Sequence, residues 1–198
     1  MNKKWQIVGA ITLCAGLLLS SAAYANSRDD EQNIAAEEAF KAKAMKTIGH
    51  GKKVYFASPM FNHAEKAFNL EIVKVLEDFG YRVFLPQRDG IEAARLEGKT
   101  EEELIKMIFA LDAQEVKKAD IVFMNIDGRV PDEGACVELG IAYASGKRCY
   151  GFKTDTRSVE MKLDMNPMIS GCMIKVFQNF DGEKLKEEIR QYLSENEL

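Results

Sequence analysis

Ala119-Asp120-Ile121-Val122-Phe123-Met124-Asn125-Ile126 is the run that decides the fold. Apolar side chains follow one another here without the alternation of a half-solvated strand. A strand of this kind is expected at the centre of a parallel sheet whose two faces are both covered. Toward the N-terminus, Lys53 to Ala57 and Tyr81 to Leu85 read as further strands. Between them Glu65 to Phe79 reads as a helix, with Phe68, Ile72, Val75, Leu76 and Phe79 at helical spacing and Gly80 as its stop. Thr100-Glu101-Glu102-Glu103 is a capping-box start, and Asp112-Ala113-Gln114-Glu115 looks like a second one, so a helix break is predicted near Leu111.

Toward the C-terminus, a loop over Asp127 to Glu133 precedes a helix from Gly134 to Ser145, closed by Gly146. Arg148 to Phe152 and Met173 to Phe177 read as strands, and Glu183 to Leu193 as a final amphipathic helix. This order predicts an α/β fold, a doubly wound, flavodoxin-like five-stranded parallel sheet with helices on both faces. In such sheets a ligand sits outside the carboxyl ends of the strands, where the strand order reverses. Pro59, Pro86, Pro131 and Pro167 all fall in segments expected at that edge.

The first 25 residues read as an export leader. Lys3 and Lys4 precede an uncharged apolar stretch from Trp5 to Leu19, and Ala23-Tyr24-Ala25 supplies the small residues of a cleavage site after Ala25. The apolar stretch is shorter than the roughly 20 residues that span a bilayer, so no stable membrane anchor is expected. Residues 26–50 form a polar extension, and 51–198 the expected folded domain. The 198-residue chain carries a formal charge of −4, and loss of Lys3 and Lys4 with the leader takes it to −6. With no basic run interleaved with aromatics, a nucleic-acid polymer is not an expected partner. Cys136, Cys149 and Cys172 show no CxxC spacing and read as small buried apolar side chains.

Neither G-x-G-x-x-G nor G-x-x-x-x-G-K-[ST] is present, which removes a dinucleotide fingerprint and a P-loop. Ala57-Ser58 stands where a phospho-receiver needs an acidic pair. No cofactor or metal ion is expected. The predicted edge does carry three carboxylates: Asp112 at a helix start, Asp132 in the loop after the third strand, and Glu138 early in the next helix. The positive end of that helix dipole favours ionised Glu138 and so its use as a nucleophile. Gly134 and Ala135 would let a ligand approach the backbone. Each acid also has a plainer reading, with Asp112 and Asp132 as helix caps and Glu138 as a surface acid.

Taken together, the motifs are more specific. Tyr55-Phe56-Ala57-Ser58-Pro59-Met60-Phe61, then Leu85-Pro86-Gln87, Ala119-Asp120-Ile121-Val122 and Asp132-Glu133-Gly134-Ala135-Cys136-Val137-Glu138-Leu139-Gly140 occur in this order. The pattern resembles the nucleoside 2-deoxyribosyltransferase family, from about Lys53 to Gly171. The resemblance implies exchange of the base of a 2′-deoxynucleoside through a glycosyl-enzyme formed on Glu138, the two-step logic of a retaining glycosidase. It further implies that Tyr55 orients Glu138, that Asp112 manages the proton of the base, and that Asp132 accepts from the sugar 5′-hydroxyl. Asn166 would reach that hydroxyl from a neighbouring subunit, making the protein a homo-oligomer with a shared active site. Met60, Phe61 and Met168 would pack on the base, although each also fits a core role.

The implied partners are a deoxynucleoside and a free nucleobase. Two alternatives stay open: an N-glycoside hydrolase of 2′-deoxynucleosides or their 5′-monophosphates, and a periplasmic nucleoside-binding module without turnover. A relative that hydrolyses monophosphates uses serines and an arginine for the phosphate. Asp132, Asn166 and Phe61 stand at the corresponding positions here, which favours the free nucleoside, while Ser58 and Arg157 keep the monophosphate open.

Overall fold

Strand β1 (Lys53–Ala57) pairs with β2 (Arg82–Phe84) on one side and β3 (Ile121–Asn125) on the other, followed by β4 (Arg148–Lys153) and β5 (Lys175–Gln178). All pairs are parallel and the order is β2-β1-β3-β4-β5, the flavodoxin-type arrangement whose order reverses between β1 and β3. The computed structural model describes residues 49, 51–91, 98–157 and 164–198. The predicted leader, and the extension 26–50 apart from Gly49, lie outside the described residues.

The helices are α1 (His63–Asp78), α2 (Pro86–Asp89), α3 (Glu101–Lys118), α4 (Glu133–Ala144), α5 (Pro167–Ser170) and α6 (Gly182–Glu195). Strand parity divides the apolar side chains between two cores. Val54, Phe56, Phe123, Phe152 and Phe177 face α1 and α6, packing on Ile72, Leu76, Leu185 and Ile189. Tyr55, Ala57, Val122, Met124 and Cys149 face the other way, onto Val116 of α3 and Ala135, Leu139 and Ala142 of α4. All five residues of β3 are buried, as its sequence requires. Gly80 and Gly146 adopt φ of +88° and +68° just beyond the ends of α1 and α4, where only a residue without a Cβ turns the chain cheaply. Among the described residues, no helix is long and apolar enough to cross a membrane.

Two local readings need correction. The break predicted near Leu111 does not occur: α3 runs unbroken for 18 residues, and Asp112 sits in its middle instead of at a helix start. No Gly or Pro interrupts Leu111-Asp112-Ala113, so the hydrogen-bond ladder continues through what looked like a second capping box. Glu115 of that apparent box instead pairs with Lys53 of β1 and Lys118. The last strand begins at Lys175, not Met173, because the Met173 amide still closes the turn after α5 by donating to the Ser170 carbonyl. The four-residue helices α2 and α5 were not anticipated; each opens on a proline, whose fixed φ and missing N–H suit the first helical position.

Candidate active site

Tyr55 is fully buried near the carboxyl end of β1, its ring stacked on Phe84 of β2 at 5.6 Å. Its hydroxyl donates to Glu138 Oε1 at 2.6 Å, the short length typical of a hydroxyl on an ionised carboxylate. Burial, reinforced by the neighbouring Glu138 charge and this hydrogen bond, raises the phenol far above the ordinary tyrosine range, with smaller contributions from Asp112 and Glu115. Tyr55 therefore remains a hydrogen-bond donor at any physiological pH, and its ring cannot swing away from the carboxylate it holds.

Glu138 comes to this point because α4 starts at the switch between β1 and β3. Asp132 caps the helix, Oδ2 accepting from the Ala135 amide at 2.7 Å. A Cβ at Gly134 would stand 3.1 Å from that capping oxygen, so the small residue keeps the cap unstrained. Glu138 lies in the second turn of α4, half-buried, just past the first turn where the helix dipole acts most strongly, so the Tyr55 hydroxyl is its main support.

Asp112, Gly134 and Glu138 line one cleft of about 380 Å³ between α3 and α4. Its remaining walls are apolar, with Ile105, Ile108 and Phe109 from α3 and Val137 and Ile141 from α4. The cleft thus brings together two carboxylates, Glu138, hydrogen-bonded by Tyr55, and Asp112, among apolar walls, an arrangement that can stabilise developing positive charge. Asp112 reaches the cleft from mid-helix, so the helix-start position assigned to it from sequence was wrong.

The other anticipated residues sit around the same edge but outside the lining of this cleft. Ser58 and Met60 are half-buried in the segment after β1, and Phe61 is 78% exposed. Asn166 caps α5, accepting from the Met168 amide at 2.9 Å, and Met168 is 79% exposed. Asp132 is spent in part on its helix cap, as its plainer reading has it. Cys149 is buried, Cys136 and Cys172 are half-buried, and all three are free thiols; burial, with a smaller contribution from Cys172, pushes the Cys149 thiol up to about 11. Among the described residues, no three His, Cys, Asp or Glu side chains are grouped as a metal site would need.

Three polar anchors were missed. Lys153, 2% exposed, donates from Nζ to the carbonyl oxygens of Arg157 (2.9 Å) and Asp164 (2.6 Å), tying down the chain that leads to Asn166. Asp127 accepts from the Thr154 and Asp155 amides at 2.5 and 2.8 Å and from the Thr154 hydroxyl at 2.6 Å, joining the exits of β3 and β4. Asn69 is buried on α1. The available signal was a polar residue ending an otherwise apolar strand, as Asn125 and Lys153 do.

A family model described as nucleoside 2-deoxyribosyltransferase matches residues 54–182. Among solved structures, the 2-deoxyribosyltransferase of Bacillus psychrosaccharolyticus is 28% identical, covering 71% of this chain and 91% of its own at a TM-score of 0.56. A conserved protein from Enterococcus faecalis V583 is 26% identical, with 71% and 98% covered and the same TM-score of 0.56. The CMP N-glycosidase of Clostridium botulinum shares the fold at 17% identity, with 71% and 100% covered and a TM-score of 0.50. None of the curated proteins matches the sequence.

Proposed function

The chain belongs to the nucleoside 2-deoxyribosyltransferase family, and on that premise we propose that it exchanges the base of a 2′-deoxynucleoside for another free base. The carrying observation is Glu138, held at 2.6 Å by the buried Tyr55 in a cleft that also contains Asp112. In the first step a Glu138 carboxylate oxygen bonds to C1′ as the bond from C1′ to the base nitrogen breaks. The departing base takes the bonding electron pair and, from Asp112, a proton. In the second step an incoming base displaces Glu138 and returns a proton to Asp112. Two displacements at one carbon restore the original configuration. The absent 2′-hydroxyl removes an electron-withdrawing group and eases formation of the cation-like transition state.

Asp132 has one oxygen committed to its helix cap, and the other remains to accept from the sugar 5′-hydroxyl. Its negative charge would repel a 5′-phosphate, so the free nucleoside is the proposed substrate. Exposed Ile105, Phe109 and Val137 beside the cleft, together with exposed Phe61 and Met168, support a homo-oligomer in which a second copy covers the site and contributes Asn166. The leader read from residues 1–25 supports an exported enzyme. Incubation of the purified protein with one deoxynucleoside and a different free base is expected to yield the exchanged nucleoside. Release of free base at a rate that an added acceptor does not divert would mark a hydrolase. Tight nucleoside binding without either product would mark a binding module.

A further inference from the structure

A line of amides, Asn69 and Asn125 buried and Gln87 half-buried, crosses the carboxyl edge of the sheet on the face away from Glu138. Asn69, in the second turn of α1 and with no exposed surface, donates from Nδ2 to the Pro59 carbonyl oxygen at 2.8 Å and to Gln87 Oε1 at 3.1 Å. Its Oδ1 accepts from Asn125 Nδ2 at 3.2 Å. Asn125 Oδ1 accepts in turn from the Asp127 amide at 2.9 Å, and Gln87 Nε2 donates to the Lys66 carbonyl oxygen at 2.9 Å. One side chain thus fastens the exits of β1, β2 and β3, with both of its donor hydrogens in use. It also gives a role to Gln87, whose amide is committed to this network at both ends.

The segment that Asn69 grips is Ser58-Pro59-Met60-Phe61, three of whose side chains are candidate substrate contacts. We infer that Asn69 is a positioning residue for this segment and acts on substrate binding, not on the chemical step. The inference rests on the deoxyribosyl-transfer reading above. Strand parity supplies the separation. Asn125 shares the face of Phe123 and meets α1, whereas Tyr55 and Glu138 meet on the α3/α4 face.

Steady-state kinetics on the full chain test this with two variants of similar burial. Asn69→Asp keeps an acceptor for Asn125 but loses both donors to the segment and to Gln87. Asn125→Ala keeps those donors and loses the link to Asn69 together with the acceptor of the Asp127 amide, both on the β3 side of the network. KM for the deoxynucleoside is expected to rise about 10-fold in Asn69→Asp, the effect of one to two lost hydrogen bonds, with kcat within about twofold. Asn125→Ala should leave both constants within about twofold. An equal rise in both variants would show general loosening and overturn the inference, as would an unchanged KM in Asn69→Asp. If Asn69→Asp shows no cooperative melting, Asn69→Ser, too short to reach Pro59, is read by the same criteria. A wild-type protein without turnover would overturn the functional reading and this inference with it, whereas wild-type turnover with KM unchanged in the variant overturns the inference alone.

Discussion

The two faces of the sheet are built from different side chains. Toward α1 and α6, Phe123 stacks against Phe56 and Phe177 with centroids 6.1 Å apart and packs on Phe152 at 6.0 Å. Toward α3 and α4 the strands present Tyr55, Ala57, Val122 and Met124, and the helix answers with Ala135, Leu139 and Ala142. Large rings bury the most apolar surface per residue and dominate stabilisation. Small residues let α4 approach closely enough for Glu138 to meet a tyrosine rooted in the sheet. Stability and chemistry are thus separated by nothing more than the alternation of side chains along a strand.

That division can be broken from either side. Glu138→Ala is expected to lower turnover by more than about 10⁴-fold, since the group that would bond to C1′ is gone. Its melting temperature should fall only modestly, reflecting the roughly 1–3 kcal/mol cost of leaving the buried Tyr55 hydroxyl without its acceptor, while the core stays intact. Phe123→Ala should do the reverse: a loss of about 3–5 kcal/mol in denaturant unfolding, with kcat per folded molecule within about twofold of wild type. A Phe123→Ala protein that keeps its stability but loses its rate would dissolve the distinction.

Tyr55→Phe sharpens the comparison, because it removes one hydroxyl and leaves the ring on Phe84. A hydrogen bond to a charged group contributes about 1.5–3 kcal/mol, so kcat should fall roughly 10- to 100-fold. The sign of the Tyr55 shift also predicts pH behaviour. With its pKa raised, the phenol keeps its proton above the ordinary tyrosine range, so the wild-type rate profile should show no alkaline limb from this group near pH 10. An alkaline limb that disappears in Tyr55→Phe would contradict the geometry.

Much of this organisation is legible in the sequence. Continuous apolar runs such as Ile121 to Met124 leave little choice but a doubly covered strand, and helical spacing from Phe68 to Phe79 places α1 within two residues at either end. Asp112 shows where local reading fails. Its capping-box spacing is real, but a cap forms only where the chain leaves the helix, and the uninterrupted ladder of α3 prevails. The helices α2 and α5 are too short to show any periodicity. Asn69 was invisible for another reason: between Phe68 and Leu70 it looks like a surface residue, and its partners Pro59, Gln87 and Asn125 lie 10 to 56 positions away. The Tyr55 and Glu138 pairing, 83 positions apart, was reached through the family resemblance and not from spacing.

The smallest expected effect lies at the opposite edge of the sheet. Burial alone would raise the Glu115 carboxyl, but hydrogen bonds and charge from Lys53 and Lys118 outweigh it and hold the group below its usual value. A carboxylate with a depressed folded-state pKa stabilises the protein above its unfolded value, and that contribution fades as pH falls through the folded one. Glu115→Gln should therefore cost about 1–2 kcal/mol at neutral pH. The difference from wild type should shrink when unfolding is measured below about pH 4.

The central claim is that Glu138 carries the sugar between two bases. Intact-protein mass spectrometry after mixing with a 2′-deoxynucleoside, without acceptor base, tests it most directly. The expected result is a mass increase of one deoxyribosyl group, mapped by peptide fragmentation to Glu138, absent from Glu138→Ala and discharged when a free base is added. An adduct on another residue, or base exchange that persists in Glu138→Ala, would contradict the account.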